Sequence, residues 1–449
     1  MSHAKNISRR NFLKRTSTVM TGLIGFPYIV RSSALGKAGS VAPSNRIVMG
    51  FIGVGGQGTQ GLAGGIWAPE GGFIGRDEVQ AVAVCDADAN NKNRARDIVN
   101  QKYGNNACAT YGDFRELLAR QDIDAVLIAT GERWHPLISI AAAKAGKDIY
   151  CEKPLSVTIE EAKAASDAIR RYGVVFQMGT QQRSSWSFRF ACELVRNGYI
   201  GQVKTVTVGV GGPVTYKICD LPAEPVPDYL DYDMWLGPIP WRPYNVGFVR
   251  GWMAYRDCSG GEMTNWGAHH FDTAQWGLGM DDSGPVEIIP PDGTTPASAG
   301  AILSPRKRGV LTYRYANGAV VIRDPEKLKA ETGQDNGVMF EGTEGKVAVW
   351  RYTLRTWPEN LIKQKIGPDQ IHLHESDNHH TDFVNSIRTR AKPISDIATG
   401  CRSITVCHLG NIAYELGRPI KWDPVKENFV NDPVAERLLS RAMRSPWHL

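Results

Sequence analysis

Residues 46–60 read "RIVMGFIGVGGQGTQ", in which an apolar run is followed directly by a cluster of glycines. Three of the glycines have the spacing Gly53-x-Gly55-x-x-Gly58, and the apolar run has the composition of a buried strand. This spacing permits a tight turn and lets a pyrophosphate approach the N-terminus of the following helix. We therefore predict a dinucleotide-binding loop. Its cofactor-binding residues are Gly53, Gly55, Gly56, Gln57 and Gly58.

Four further apolar runs follow the glycine loop, bounded by turn residues and separated by helix-like stretches. They are "VQAVAVCD" (79–86), "DAVLIAT" (124–130), "KDIYCEK" (147–153) and "VVFQMGT" (174–180). Continuous apolar runs of this kind are typical of strands buried on both faces of a parallel sheet. The alternation of strands and helices predicts an α/β fold, with a doubly wound Rossmann domain over residues 45–180.

The second strand of this pattern ends at Asp86, whose carboxylate is expected to accept hydrogen bonds from the adenosine ribose of the cofactor. We identify no nearby Arg or Lys that would pair with a 2′-phosphate, and the charge of Asp88 would repel one. The predicted cofactor is therefore NAD rather than NADP.

A later strand ends in Glu152-Lys153-Pro154, and Pro154 cannot continue a central strand because it lacks a backbone N–H. Ligands of doubly wound sheets bind outside the carboxyl ends of the strands, so Lys153 is expected to face the nicotinamide. Partial burial beside a cationic ring would lower its pKa and make it a proton acceptor or a donor that orients a hydroxyl. The alternative interpretation is a surface lysine in an ordinary turn.

The pattern changes after residue 180, where alternating strands replace continuous apolar runs. "GVLTYRYANGAVVIRD" (309–324) and "VMFEGTEGKVAVWR" (338–351) are typical of β-hairpins. We predict a second domain of α+β type over residues 181–449, with a largely antiparallel open sheet that serves substrate binding and oligomerisation. A homo-oligomer, either a dimer or a tetramer, is expected because such open sheets often pair.

The positive charge of the chain is concentrated at its N-terminus. Seven Lys and Arg residues and no acidic residue precede Asn45, and subtracting them from the net charge of +6 leaves −1. Nucleic-acid binding is therefore not expected. Arg9-Arg10 followed by an apolar run resembles a twin-arginine signal. The apolar run is too short to span a membrane stably. We interpret residues 1–40 as a signal peptide and linker read by the twin-arginine export machinery, with a basic amphipathic helix as the alternative.

The glycine loop, the "EKP" tripeptide at 152–154 and "GGEMTNWGAHHFD" (260–272) occur in an order that resembles the glucose–fructose oxidoreductase/inositol dehydrogenase (Gfo/Idh/MocA) family. The stretch "CRSITVCHLGNIAYELGRPIKWDP" (401–424) is similar to exported members of that family. The resemblance runs from about Asn45 to the C-terminus. It implies an NAD-dependent oxidoreductase acting on a secondary alcohol of a sugar, glycoside or polyol. By this resemblance, Lys153 and His269 flank the substrate carbon above the nicotinamide.

The sequence departs from the family pattern at Asn265, where the family has Asp four residues before the histidine. On one helix, Asn265 would share a face with His269 and could orient it, but an amide cannot stabilise an imidazolium as a carboxylate does. Asp272, three residues further on, could take part instead. A third interpretation is that the hydride chemistry is slow or lost.

Further site residues complete the prediction. In "ATGERWH" (129–135), Thr130 and His135 match the family and are expected to contact the dinucleotide, although His135 could be a helix N-terminal residue without a role. The histidine-rich "HLHESDNHH" (372–380) leads into a helix, and no metal site is predicted. Glu152 is added to the cofactor-binding residues, and the predicted substrate-binding residues are Arg183, Tyr255, Arg256 and His270.

Export implies a periplasmic or extracellular protein, where no ready pool of NAD exists. We therefore expect NAD to be tightly bound and recycled, for example with a second sugar as acceptor. An alternative is the redox-neutral glycoside cleavage of the NAD-dependent α-N-acetylgalactosaminidases in the same family. A catalytically silent sugar-binding protein, with Asn265 as its clue, is the third hypothesis.

Overall fold

The computed structural model describes residues 42, 45–66, 68, 71–213, 221–294 and 309–449. The predicted signal peptide and linker, residues 1–40, lie outside the described residues. No described helix combines the length and the apolar composition that crossing a bilayer requires.

Six strands form the first sheet. They are β1 (Ile47–Ile52), β2 (Val79–Cys85), β3 (Ala109–Tyr111), β4 (Ala125–Ile128), β5 (Asp148–Cys151) and β6 (Phe176–Met178). Their order is β3-β2-β1-β4-β5-β6, and every neighbouring pair is parallel. This is the strand order of dinucleotide-binding doubly wound sheets, and it confirms the predicted fold class. The order reverses between β1 and β4, where such sheets form their ligand crevice.

Helices alternate with these strands. They are α1 (Gly56–Ala63), α2 (Ala89–Tyr103), α3 (Phe114–Leu118), α4 (His135–Lys144) and α5 (Ile159–Tyr172). The signals that begin and end α5 are readable in the sequence: the Thr158 hydroxyl accepts from the Glu161 amide, and Gly173 ends the helix at a φ of 65°. A 3₁₀ turn at Phe73–Gly75 packs under β2.

Nine strands form the second sheet. They are β7 (Val203–Gly209), β8 (Glu287–Ile289), β9 (Leu311–Arg314), β10 (Val320–Arg323), β11 (Gly337–Gly342), β12 (Lys346–Trp350), β13 (Thr353–Trp357), β14 (Ile420–Asp423) and β15 (Asn428–Phe429). Their order is β13-β12-β11-β7-β10-β9-β8-β14-β15. Pairing is antiparallel except between β7 and β10. Both predicted hairpins, β9–β10 and β11–β12, are confirmed.

The remaining helices belong to the second half of the chain. They are α6 (Trp186–Arg196), α7 (Tyr232–Leu236), α8 (Val246–Arg250), α9 (Glu262–Asn265), α10 (Gly267–Leu278), α11 (Pro325–Thr332), α12 (His379–Thr389), α13 (Ile397–Leu416) and α14 (Pro433–Glu436). Short 3₁₀ helices cover Gln181–Ser184, Trp252–Ala254 and Glu359–Lys363.

Helix α13 connects the two sheets, because it packs against α5 beside the parallel sheet and against α10 beside the second sheet. It is buried along most of its length, and its apolar residues belong to a core that also includes residues of both sheets. This shared core holds the carboxyl end of β5 close to the start of α10. The catalytic candidates lie at that junction.

Candidate active site

The glycine loop follows β1 directly, as predicted. Gly53 has a φ of 79°, and a Cβ there would lie 2.7 Å from the carbonyl carbon of Ala129. A Cβ on Gly58 would lie 1.8 Å from the Gly53 carbonyl oxygen, so the loop and α1 can meet only without side chains. A Cβ on Gly56 would contact nothing within 4 Å. The loop is therefore tightly packed underneath and open at the helix N-terminus, which fits a pyrophosphate.

Asp86, at the end of β2, is bound to the glycine loop. One carboxylate oxygen accepts from the Val54 amide at 2.8 Å, and the other accepts from the Asp88 amide at 2.9 Å. Burial raises the pKa of Asp86, and these two amides oppose the shift. A carboxylate has about four acceptor positions, so acceptors remain for ribose hydroxyls.

Contrary to the prediction of no nearby Arg or Lys, one arginine lies close to the glycine loop. Helix α2 brings Arg94 to the loop, where its Nη2 lies 3.4 Å from the Val54 carbonyl oxygen and 2.9 Å from Asn91 Oδ1. Arg94 lies in α2, six residues beyond the N-cap Asp88. The sequence spacing does not show that the helix brings this side chain back to the glycine loop at the end of β1. The carboxylate of Asp86 remains the feature that favours NAD.

Lys153 extends from the end of β5 toward the second half of the chain. Its Nζ donates to Asn265 Oδ1 at 2.8 Å and lies 3.3 Å from the Asn265 carbonyl oxygen. Burial lowers the pKa of Lys153, while the carboxylates of Glu152 and Glu132 oppose that shift. The direction is the one that the sequence analysis expects for a lysine able to accept a proton.

Lys153, Asn265 and His269 line one cavity of about 580 Å³, together with Gln57 of the glycine loop. His269 is 1% exposed, and neither of its ring nitrogens has a hydrogen-bond partner. Burial holds the pKa of His269 well below its ordinary value, and the charge of Lys153 lowers it further. The cavity therefore brings a lysine and a neutral imidazole together beside the cofactor loop.

Asn265 and His269 line the same cavity, but they do not lie on one continuous helix. It ends α9, whereas His269 lies in the first turn of α10, and Trp266 stands between the two helices. The Asn265 amide accepts from Lys153 and donates to Glu262 Oε1 at 3.3 Å. Asn265 therefore positions the lysine rather than the histidine.

Asp272 does not take part beside His269. Its two oxygens accept from Arg183 Nε at 2.7 Å and Nη2 at 2.9 Å, and one also accepts from Ser403 at 2.6 Å. Arg183 also binds Asp281, and both Asp272 and Arg183 are almost fully buried. Arg183, which was predicted to bind substrate, places its guanidinium in this buried ion pair and does not line the cavity.

Tyr255, Arg256 and His270 also lie away from the cavity. Tyr255 packs edge-on against Phe248 at 4.8 Å, within a hydrophobic cluster formed by the aromatic stretch itself. Arg256 pairs with Glu415 at 2.6 Å. His270 does not line the cavity itself: its Nδ1 lies 3.0 Å from the Gly209 carbonyl oxygen, and its Nε2 lies 3.4 Å from Nε2 of Gln182, which does line the cavity. Their proximity in sequence to the catalytic candidates was misleading.

His135 joins the ends of two strands. Its Nδ1 lies 2.6 Å from the Pro154 carbonyl oxygen and its Nε2 lies 3.0 Å from the Thr130 carbonyl oxygen. It is 1% exposed, and burial lowers its pKa to about 4. His135 therefore supports the turn that carries Lys153 instead of contacting a dinucleotide. Thr130 itself packs against Gly53, where a Cβ would meet its methyl group at 2.7 Å.

Two buried carboxyl groups flank Lys153. Glu152 accepts from Gln181 Nε2 at 2.9 Å, and burial raises its pKa. Glu132 accepts from the Thr264 hydroxyl at 3.3 Å, and burial raises its pKa to about 7. Glu132 was missed in the sequence analysis, although it lies within the quoted "ATGERWH".

The wall of the cavity contains side chains that sequence reasoning did not select, namely Gln181, Gln182, Trp186, Arg351 and Tyr352. The first three follow β6, and the last two form the β12–β13 turn. In the histidine-rich stretch, His374 binds Asp382 at 2.7 Å. Within the described ranges, no three His, Cys, Asp or Glu side chains are grouped to hold a metal ion.

The parallel sheet and its glycine loop define a dinucleotide-binding protein of the Rossmann class. Sequence profiles specify it further: "Oxidoreductase family, NAD-binding Rossmann fold" matches residues 47–180, and "Oxidoreductase family, C-terminal alpha/beta domain" matches residues 189–449. The chain belongs to the Gfo/Idh/MocA family of NAD(P)-dependent oxidoreductases, as the resemblance predicted.

Two curated relatives illustrate the similarity. The chain is 29% identical over 236 residues to the uncharacterized oxidoreductase YrbE of Bacillus subtilis, covering 53% of this chain and 58% of that protein. It is 31% identical over 212 residues to the alpha-N-acetylgalactosaminidase of Shewanella oneidensis, covering 44% of each. The chain thus spans about half the length of the curated relatives it matches.

Solved structures share the fold at low identity. The scyllo-inositol dehydrogenase of Lactobacillus casei, with bound cofactor NAD(H) and scyllo-inositol, is 19% identical with a TM-score of 0.54. The aldose-aldose oxidoreductase of Caulobacter crescentus, complexed with glycerol, is 19% identical with a TM-score of 0.55. Each similarity covers 84% of this chain and 99% of the other.

Proposed function

We propose that the cavity oxidises a secondary alcohol of a sugar, glycoside or polyol, with NAD as the hydride acceptor. The observation that supports this most strongly is that Lys153 and His269, both with lowered pKa values, line one cavity beside the glycine loop. Residues 53–58 and Asp86 would hold the dinucleotide. When bound, NAD⁺ accepts the hydride from the carbon that carries the hydroxyl group.

The proton of that hydroxyl goes to a protein side chain. Burial lowers the pKa of Lys153, which favours the neutral amine, and Asn265 fixes its position through the 2.8 Å hydrogen bond. Lys153 is therefore the proposed proton acceptor. His269, with two unpartnered nitrogens, is proposed to orient the same hydroxyl and to share its proton. The alcohol loses one hydride and one proton and becomes a ketone.

The substrate class is argued from the lining. Amides of Gln181, Gln182 and Asn378 supply hydrogen-bond donors and acceptors, and Gln182 Oε1 is buried without a partner. The rings of Trp186 and Tyr352 lie beside them. Amides next to aromatic rings suit a ligand with many hydroxyls and apolar C–H faces, and the inositol and aldose enzymes named above share the fold.

A second candidate is redox-neutral cleavage of a glycoside. The 31% identity to an alpha-N-acetylgalactosaminidase supports it. Transient oxidation would acidify the neighbouring C–H, and loss of that proton would expel the aglycone. Water would then add, and the hydride would return from NADH, so that hydrolysis leaves no net NADH. A catalytically silent sugar-binding protein is the third candidate, and the unusual Asn265 is the feature that supports it.

Export by the twin-arginine machinery, with NAD loaded before export and recycled within the site, is part of the proposal. The N-terminal Arg9-Arg10 segment supports it. We also propose a homo-oligomer paired through the open sheet. Cell fractionation tests the first statement, and light scattering of the purified protein tests the second.

One experiment separates the candidates. The purified protein is denatured and its released dinucleotide is measured, and then 4-nitrophenyl glycosides, sugars and polyols are added to native protein. NADH accumulation at 340 nm supports the dehydrogenase, and nitrophenol release without NADH supports the glycosidase. Sugar binding without either product supports the silent protein. Absence of dinucleotide from the purified protein contradicts the retained cofactor.

A further inference from the structure

The active-site cavity continues into a second space. Ser185, Trp186 and Tyr352 line both the cavity and an adjoining open groove of about 490 Å³. The groove is completed by Ser187, Thr353, Leu354 and Ile362. The inner cavity must already hold a nicotinamide and the reacting sugar under the proposed function. The groove is thus additional room that adjoins the cavity of Lys153 and His269.

Tyr352 stands at the tip of the β12–β13 hairpin in an unfavourable backbone conformation. Its φ is 64°, a region that Gly and Asn adopt readily and that is strained for a bulky residue. Its side chain is 83% exposed, so burial in the core does not explain why an aromatic residue occupies this turn. Strain at an exposed position beside a cavity is typical of a residue kept for contact with a ligand.

Trp186 is the second aromatic residue that lines both the cavity and the groove. It is 53% exposed at the start of α6 and stacks on Phe190, one turn along the helix, at 5.1 Å and an interplanar angle of 13°. The stacking fixes the plane of the indole. Its exposed surface is the area that lines the cavity and the groove. A fixed, exposed indole is suited to pack against the C–H face of a sugar ring.

The chemistry of the groove selects a neutral ligand. Its seven lining residues are two serines, a threonine, two aromatic residues and two aliphatic residues, with no charged side chain. At the inner end, the buried Gln182 Oε1 has no hydrogen-bond partner and can accept from a hydroxyl. Hydroxyl groups, aromatic faces and the absence of charge together favour an uncharged carbohydrate over a nucleotide or an acidic peptide.

We infer that Trp186 and Tyr352 form an outer sugar subsite, so that the substrate is a glycoside of at least two units. One unit lies at Lys153 and His269, and the next lies between the two aromatic side chains. This inference rests on the proposed function for the identity of the inner unit. It goes further because it excludes free monosaccharides and inositols as the preferred substrates.

The test measures binding instead of turnover, so that it can fail separately from the proposed function. Protein whose bound NAD has first been reduced to NADH, so that it cannot oxidise the sugar, is titrated calorimetrically with hexoses and N-acetylhexosamines and with their disaccharides and 4-nitrophenyl glycosides. In the unmodified protein, the longer ligand should bind about tenfold more tightly than its single unit, since aromatic contacts contribute on this order. Trp186→Ala and Tyr352→Gly should each remove most of that ratio.

Tyr352→Gly also has a stability readout. It relieves the strained φ, so the variant should unfold at a temperature equal to or above that of the unmodified protein while it loses the length preference. If the melting temperature is unchanged or higher, misfolding cannot account for lost binding. Tyr172→Ala, at a 44% exposed tyrosine at the end of α5, is the matched control and should keep the ratio within about twofold.

Three results would overturn the inference. One is equal binding of single and double units by the unmodified protein. Another is a ratio that survives both aromatic substitutions. The third is a change of oligomeric state on Tyr352→Gly with sugar binding intact, which would assign the surface to a second copy of the chain. A preserved length preference without any hydride transfer would instead reject the proposed function and keep the subsite.

Discussion

The variant Asn265→Asp tests how the chain prepares Lys153. The substitution places a carboxylate oxygen where Asn265 Oδ1 now lies, 2.8 Å from Lys153 Nζ. At an effective dielectric constant of about 20, two unit charges at that distance attract by about 6 kcal/mol. Desolvation of the new carboxylate offsets several kcal/mol of this. A net rise of about 1–3 units in the pKa of Lys153 remains.

The expected result follows from the sign of that change. A lysine with a raised pKa stays protonated up to a higher pH, so it can accept a proton from the substrate only above that pH. The acidic limb of kcat/KM against pH should move upward by about 1–3 units, with activity recovering at alkaline pH. Asn106→Asp, at an exposed residue, is the control and should leave the limb unmoved.

Two assays report this shift. The first is the pH profile of NADH formation at 340 nm with a sugar that the unmodified protein oxidises. The second is competitive acetylation of the lysines followed by peptide mass spectrometry, which measures the pKa of Lys153 directly and requires no substrate. An unmoved acidic limb together with an unchanged acetylation profile would refute the assignment of Lys153 as the proton acceptor positioned by Asn265.

Three further predictions concern stability. Burial raises the pKa of Glu132 from 4.5 to about 7, so the folded state holds this proton more tightly than the unfolded chain does. The free energy of unfolding should therefore fall by up to about 3 kcal/mol as the pH rises between those values. In Glu132→Gln, the free energy of unfolding measured in urea should differ less between pH 5 and pH 8. Burial lowers the pKa of His135 and of His270 to about 4, so the stability they contribute is present above pH 6.5 and lost as the pH falls toward 4. The change in melting temperature between pH 7 and 5 should therefore differ between His135→Gln and the unmodified protein, with less loss at pH 5 in the variant, and an identical change in both would contradict this. Asp272→Ala leaves the buried Arg183 guanidinium without its closest partner and should cost about 3–5 kcal/mol in urea unfolding, whereas no measurable loss would contradict a structural ion pair.

Local sequence signals predicted the parts of the fold that local chemistry determines. The glycine loop follows a buried strand, and Thr158 and Gly173 begin and end α5 because capping depends on nearby residues alone. The Asn317-Gly318 turn predicted the β9–β10 hairpin for the same reason. In each of these cases the decisive residues are neighbours in sequence.

The assignment of site residues needed information that spacing does not contain. His269, His270 and Asp272 are close in sequence, yet only His269 faces the cavity, because α10 turns the other two toward β7 and Arg183. The break at Trp266 could not be seen in a pattern that reads as one helix. Arg94 reaches the glycine loop across a helix turn.

Tyr352 of the proposed outer subsite was missed in the sequence for a different reason. Tyr352 lies in a hairpin turn, where sequence patterns favour glycine or asparagine, and an aromatic residue there gives no helix or strand signal. Its positive φ and its exposure become informative only when the turn is placed beside the cavity. A bulky residue where a turn calls for glycine is the signal that could have identified it.

The proposed function requires that Lys153 and His269 act on one substrate carbon beside a nicotinamide ring. Its most direct test is the single-turnover rate of NADH formation when NAD-loaded protein is mixed with a sugar, compared among the unmodified protein, Lys153→Met and the surface control Lys144→Met. Loss of a proton-transfer residue should lower the rate by about 10²–10⁴-fold in Lys153→Met, with the bound NAD content unchanged and the control unaffected. A decrease of less than about threefold, with the cofactor still bound, would remove Lys153 from the chemistry and contradict the account.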